Sequence, residues 1–144
     1  MRKGWILAAV LSAAVLARGE DLTALGRWRT IDDKTGKPRS IVAIYEEKGR
    51  VFGRVEASLN PATAARRCDK CADARKDQPI VGMVIIRGLR KNGNEYYGGD
   101  ILDPDNGSVY RCKLRVLDNG ARLSVRGYMG LSLFGRSQVW TRER

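Results

Sequence analysis

The chain has 144 residues and a formal net charge of +11, from 27 basic and 16 acidic residues, with three cysteines and no histidine. Its length suits one domain, and the absence of histidine excludes catalytic arrangements that depend on an imidazole base. The positive charge favours anionic partners such as phospholipid headgroups or acidic solutes. The basic residues are spread, however, and where they alternate with apolar ones, as at Arg111, Lys113 and Arg115, we interpret them as a solvated strand face.

Residues 1–19 have the pattern of a secretory signal peptide. A short basic start precedes an apolar segment from Trp5 to Leu16, and small residues at Ala17 and Gly19 offer cleavage positions. The apolar segment is shorter than the stretch of about 20 residues that a membrane-spanning helix needs. We therefore expect no stable membrane insertion, cleavage near Ala17 or Gly19, and a single domain over residues 20–144 that is periplasmic or secreted.

The rest of the chain has the pattern of an all-β protein. A short helical turn is predicted at Asp21 to Leu25, and apolar and polar residues then alternate with period two between clusters of turn residues. The predicted strands are Gly26–Ile31, Arg39–Glu46, Arg50–Ala57, Ile80–Leu89, Asn94–Asp103, Ser108–Leu117, Ala121–Gly130 and Ser137–Arg142. About eight strands in series suit a small closed barrel that can hold one small ligand.

Three Asn-Gly pairs separate the last of these strands. They are Asn92-Gly93, Asn106-Gly107 and Asn119-Gly120. Because both residue types accept a positive φ, each pair predicts a two-residue hairpin turn. Three such turns in series predict an antiparallel, up-and-down arrangement, and Gly98-Gly99 within one strand predicts a bulge or sharp bend.

The long irregular segment over residues 60–78 carries two cysteines, Cys68 and Cys71. In an oxidising compartment we expect them to form a disulfide that closes a tight loop. A redox-active pair is the alternative, although the flanking sequence lacks the βαβ pattern of thioredoxin-like proteins. Cys112 lies on the apolar face of its strand, so a buried free thiol is expected. A bridge from Cys112 to Cys68 or Cys71 stays open.

Two tryptophan-containing motifs, one at each end of the domain, together match a known signature. Gly26-Arg27-Trp28 opens the first predicted strand, and Trp140-Thr141-Arg142 ends the last. The pair resembles the lipocalin-type signature, in which a tryptophan plugs one end of the barrel and a basic residue stacks on its indole. The resemblance predicts a lipocalin-like barrel with Trp28 and Trp140 at its closed end.

The chain from Trp28 to Arg142 also resembles an uncharacterised bacterial exported family, catalogued as domain of unknown function 2147. The matching blocks are Cys68-Asp69-Lys70-Cys71, Pro79 to Met83 with Gly88-Leu89, Gly99 to Pro104, Arg126 to Gly130, Phe134 to Arg136 and Trp140 to Arg142. The resemblance implies a lipocalin-like barrel in the cell envelope. It brings no established activity, so it supplies no catalytic residues.

Glycines 127, 130 and 135 leave the backbone bare beside arginine and aromatic side chains. Guanidinium groups and aromatic rings at a barrel mouth suit a polar or anionic ligand. Pairing of these arginines with Asp103 or Asp105 to hold the rim is the alternative. The predicted ligand-binding residues are Trp28, Tyr45, Arg126, Tyr128, Arg136 and Trp140.

The sequence favours a binding protein over an enzyme. The carboxylate pairs Asp32-Asp33 and Asp103 with Asp105 lie in turns, where aspartate is expected for backbone reasons, and we predict no catalytic residue, metal or cofactor. We expect an exported barrel that holds a small polar or anionic molecule, without a nucleic-acid partner because arginines and aromatics do not cluster. A thiol-disulfide protein and a structural cell-envelope protein with a filled barrel are the alternatives.

Overall fold

The computed structural model describes residues 23–131 and 135–144. The strands are β1 (Gly26–Ile31), β2 (Pro38–Glu47), β3 (Arg50–Ser58), β4 (Val84–Asn92), β5 (Glu95–Leu102), β6 (Val109–Leu117), β7 (Arg122–Tyr128) and β8 (Gly135–Arg142). Each strand pairs antiparallel with the next, and β8 pairs with β1, so the sheet closes into a barrel. This confirms the predicted all-β, up-and-down, lipocalin-like architecture. No described residue belongs to a helix long and apolar enough to cross a membrane.

Two sequence predictions concern the amino terminus. The predicted signal peptide lies outside the described residues, as do the first two residues of the helical turn predicted at Asp21 to Leu25. The described part of that turn is not helical. The reason is that barrel side chains take its backbone groups: Ala24 donates its N–H to the Tyr96 hydroxyl and accepts a hydrogen bond from the indole of Trp28.

Strand β4 begins at Val84, although the sequence predicted a strand from Ile80. Gly82 has a φ of +94°, which breaks an extended strand, and its N–H bonds to the Val55 carbonyl. Ile80 instead bonds to Arg66 in the long connection between β3 and β4. The apolar run therefore covers a turn as well as a strand, because both are packed against the barrel.

The chain does reverse direction at or beside each Asn-Gly pair, but none of the three pairs itself forms the predicted two-residue turn. Between β4 and β5 the two-residue turn is Gly93-Asn94, since Asn92 pairs with Glu95. Asn106-Gly107 lies in a longer loop, where Gly107 bonds back to the Asp103 carbonyl. Asn119-Gly120 lies in a 3₁₀ turn. The predicted bulge is confirmed by a register shift between Tyr96 and Gly99.

The interior of the barrel is filled with side chains. Tyr96, Ile86, Leu114 and Leu123 are almost completely buried and pack in one apolar cluster with Trp28. The buried polar residue Thr30 shares a hydrogen bond with Ser40, and every buried side-chain nitrogen and oxygen of the described residues has a partner. The described wall therefore surrounds a packed core.

The strand connections define two ends of the barrel. The tryptophan end comprises residues 23–25 and the turns at 48–49, 93–94 and 118–121. The disulfide end comprises the connections at 32–37, 59–83 and 103–108. The predicted site residues are described below relative to these two ends.

Candidate functional site

The tryptophan end is closed by Trp28 and Arg142. Trp28 is fully buried, and the guanidinium carbon of Arg142 lies 4.3 Å from the centroid of its ring. The same guanidinium donates hydrogen bonds to the carbonyls of Thr23, Leu25 and Gly120. Gly26 has a φ of +127°, which residues with a side chain rarely adopt, and a Cβ there would lie 2.8 Å from Nη1 of Arg142, so this position favours glycine. The predicted stacking of a basic residue on the tryptophan is confirmed.

Trp140 lies inside the barrel wall. It is 4% exposed and pairs across the ladder with Leu123 of β7. Its indole N–H donates to the side chain of Gln138 at 2.9 Å. The ring is therefore part of the packed core, and its polar group is satisfied within its own strand.

At the disulfide end, the long β3–β4 connection packs against the barrel. Cys68 and Cys71 form the predicted disulfide, and both residues are buried. Thiol exchange requires an attacking thiolate to reach a sulfur, which this burial opposes. Cys112 is a buried free cysteine, as expected, and burial raises the pKa of its thiol well above the usual range.

Asp105 joins this connection to the neighbouring loop. Its carboxylate accepts hydrogen bonds from Arg39 at 2.6 Å and from Arg66 at 2.8 Å. The hydrogen bond from Arg39 is the largest cause that lowers the pKa of Asp105 well below its usual range. Gly107 approaches Lys70 so closely that a Cβ would lie 1.8 Å from the Lys70 carbonyl oxygen. The two loops are therefore held together at this end.

The structure separates the predicted ligand residues. Tyr45 lies on the outer face of β2, stacked on Phe52 with 5.8 Å between ring centroids. Arg136 lies at the disulfide end, where it forms ion pairs at 3.3 Å with Asp103 and with Asp33. The rim pairing considered as the alternative therefore exists for Arg136. Trp28 and Trp140 lie in the interior, so these four residues do not share one pocket.

Arg126 and Tyr128 lie on the outer face of β7. Arg126 donates a hydrogen bond to the Ser137 hydroxyl at 3.0 Å. Tyr128 is 9% exposed, and the Lys113 amine lies 5.7 Å from its ring centroid. These two predicted residues therefore share a face with a second basic side chain, that of Lys113 in β6.

A cleft of about 220 Å³ opens on this outer face, and we call it the basic cleft. It is lined by Glu95, Tyr96, Tyr97, Lys113, Leu114, Arg115, Ser124 and Arg126. Lys113 and Arg126 stand directly opposite each other in the β6–β7 ladder. Arg115 is bonded to Glu95, the carboxylate in the lining. The lining carries three cations against one anion.

The sequence prediction omitted Lys113 and Arg115. Their alternation with apolar residues along β6 was interpreted as a solvated strand face, which is also what the structure shows. The missing information is the register between β6 and β7, which places Lys113 opposite Arg126. The alternation of basic and apolar residues along β6 is the sequence feature that could have identified Lys113 and Arg115 as members of this exposed face.

A second cavity, of about 480 Å³, lies beside the disulfide loop between Arg75 and Arg87. Arg75 is bonded to Asp73, and Arg87 is bonded to Asp100. Hydrogen bonds from Arg75 lower the pKa of Asp73 to about 2, so this carboxylate is ionised at neutral pH. Each of these two cations is matched by a carboxylate. No cluster of three potential metal-ligating side chains occurs among the described residues.

Comparisons with known proteins agree with this architecture. The family model described as "Uncharacterized protein conserved in bacteria (DUF2147)" matches residues 26–142. Protein HP1028 from Helicobacter pylori, described as belonging to the lipocalin family, has a similar solved structure. The similarity has a TM-score of 0.74 at 19% identity and covers 85% of this chain and 84% of that chain. A comparison with curated proteins found no match. The chain therefore belongs to the DUF2147 family, and its described residues have a lipocalin-like fold.

Proposed function

We propose that this chain is an exported, non-catalytic binding protein that holds a small anion in the basic cleft on its outer face. The observation that carries the proposal is the placement of Lys113 directly opposite Arg126, with Arg115 beside them in a lined cleft. The lipocalin-like fold supports a binding role, and the packed core favours a ligand on the surface of the wall. The pattern of residues 1–19 supports export.

The charges in the cleft favour an anion for a physical reason. Like charges directly opposite each other in a ladder destabilise the sheet. An anion between Lys113 and Arg126 would remove this repulsion and accept charge-assisted hydrogen bonds from both. Arg126 already has a hydroxyl partner in Ser137, which orients its guanidinium. The site would therefore be partly organised before the anion arrives.

The size of the cleft limits the ligand. Its volume of about 220 Å³ is below the range of roughly 300–1,000 Å³ that is typical of pockets for drug-sized molecules. A water molecule occupies about 30 Å³, so the cleft has room for an anion and a few waters. Inorganic phosphate, sulfate or a short dicarboxylate fits these limits.

The alternatives differ in their support. A structural cell-envelope role is favoured by the filled core and by the ion pairs at the disulfide end. A thiol-disulfide role is disfavoured because Cys68 and Cys71 are both buried. Anion binding distinguishes the structural role from our proposal, because a purely structural barrel needs no saturable anion site.

The test is calorimetric titration of the mature protein with phosphate, sulfate and succinate at low ionic strength. Losing one charge-assisted hydrogen-bond donor should weaken binding about 10- to 100-fold in Lys113→Ala and in Arg126→Ala. Arg122→Ala is the matched control, because Arg122 points outward from the same strand and is bonded to Asp118. Equal binding by all three variants, or no saturable binding to the wild type, would refute the proposed site.

Export is tested separately by fractionating cells and sequencing the amino terminus of the purified protein. We expect the periplasmic or secreted form to start near Arg18 or Glu20. An intact amino terminus in the cytoplasm would contradict this part of the proposal.

A further inference from the structure

The barrel closes through a ladder of two residue pairs between β1 and β8. The pairs are Trp28 with Arg142 and Arg29 with Thr141. Strand β8 nevertheless extends back to Gly135, and β7 pairs with it along that whole length. The part of β8 nearer the disulfide end therefore lies beyond the ladder with β1. Among the described residues, no strand pairs with the β1-facing edge of this part.

The direction of the backbone groups on β8 follows from two hydrogen bonds. Arg142 donates its N–H to Ala121, on the β7 side, and Glu143 donates to Arg27, on the β1 side. Successive residues of a strand direct their N–H and C=O groups to opposite neighbours. Beyond the ladder with β1, the residues whose groups face the open edge are therefore Gly135, Ser137 and Val139.

The three residues that face this edge lack the features that usually block pairing, and the charged residue between them, Arg136, points to the other face of the strand, where it is ion-paired with Asp33 and Asp103. Natural edge strands are commonly blocked by charged side chains, prolines or bulges. Gly135, Ser137 and Val139 are exposed and uncharged, and no register shift interrupts the β7–β8 ladder. Val139 is 37% exposed although it lies in the middle of a strand. The open edge is therefore available to another extended chain.

The charges around the edge indicate what kind of chain fits. Arg126 is the ladder neighbour of Ser137, to which it is bonded, so its guanidinium lies on the outer face beside the open edge. The whole chain carries a net charge of +11. A second copy would bring the same positive charges, whereas an acidic chain would be attracted.

We propose that the open edge of β8 binds an extended, acidic peptide segment of a partner protein by antiparallel strand addition. In this mode the main-chain hydrogen bonds supply affinity and alternate side chains supply specificity. Residues of the peptide that pair with Ser137 and Val139 place their side chains on the outer face, on the same side as Arg126. Those positions should carry the acidic residues. This inference goes beyond the proposed anion site and uses different backbone groups.

The probe is a blocked six-residue peptide that alternates valine and glutamate. We expect saturable binding, measured by amide NMR shifts that are largest at Gly135, Ser137 and Val139, with slower hydrogen exchange at these amides. N-methylation of the glutamates removes the N–H groups that face β8 and should abolish binding. N-methylation of the valines alters groups that point away from β8 and should leave binding intact, so it serves as the matched control.

The protein variant Val139→Glu should weaken binding of the acidic peptide at least tenfold. Thr141→Glu is its control, because Thr141 is also exposed on β8 but is paired with Arg29 on one side and with Arg122 on the other. The proposal is overturned by equal binding of the two methylated peptides, or by equal binding of a lysine-for-glutamate peptide. Exchange protection of the three amides that rises with protein concentration would assign the edge to a second copy and would also overturn it.

Discussion

Replacement of Arg142 tests how the tryptophan end is held closed. The guanidinium lies on the buried ring of Trp28 and donates hydrogen bonds to three backbone carbonyls. A hydrogen bond from a charged donor contributes about 1.5–3 kcal/mol, and a desolvated cation–π contact about 2 kcal/mol. Because one side chain makes all of these contacts, they are not additive. We expect Arg142→Ala to lower the free energy of unfolding by about 3–5 kcal/mol.

The assay is urea unfolding followed by tryptophan fluorescence, with unchanged m-values as the condition for comparing variants. Arg142→Lys keeps the positive charge but lacks the planar guanidinium with its several donors. It should therefore recover less than half of the unfolding free energy that Arg142→Ala loses. Arg29→Ala is the control, because its ion pair with Glu143 is partly exposed and should contribute less than about 1 kcal/mol. If Arg142→Ala costs no more than Arg29→Ala, the closure of this end does not depend on the stacked arginine.

Three further predictions concern the disulfide end and the core. Because the pKa of Asp105 is lowered in the folded state, its stabilisation is present above the unfolded pKa of about 4 and is lost as pH falls through the folded value. We expect Asp105→Asn to lower the free energy of unfolding by about 1 kcal/mol at pH 7, a figure reduced because the carboxylate is partly exposed. The difference from the wild type should shrink on acidification, and a pH-independent difference in urea titrations would contradict this. Replacing Cys68 and Cys71 together with serine should lower the free energy of unfolding by about 2 kcal/mol for so short a loop, and unchanged thermal stability would be the opposing result. The Cys112 thiol should react with a thiol reagent only after unfolding, so rapid labelling of the native protein would show that it is accessible.

The fold could be predicted because its signals are local. Alternation of apolar and polar residues marks each strand, and turn residues mark where it ends. The motif that pairs Trp28 with Arg142 was also visible, since both ends of the domain carry it. The strand prediction failed where the same local sequence pattern fits two different structures. The apolar run from Ile80 is one case, because residues of a packed turn and of a buried strand look alike in sequence.

The candidate site was only partly predictable because it depends on register. Arg126 was identified from its glycine-rich surroundings, but Lys113 becomes its neighbour only through the β6–β7 ladder. Likewise, the ion pair of Arg136 with Asp33 joins two hairpins that are far apart in sequence. The open edge of β8 follows from where the ladder with β1 stops, and no single residue marks that point.

The most direct test of the central claim is a crystal structure of the mature protein with bound selenate, an anomalously scattering analogue of sulfate. The account predicts an anomalous peak between Lys113 and Arg126 on the outer face, and none among the core side chains around Trp28 and Ile86. The peak should disappear in Lys113→Ala. An anion inside the barrel, or no ordered anion in the basic cleft at concentrations that saturate binding in solution, would contradict the account.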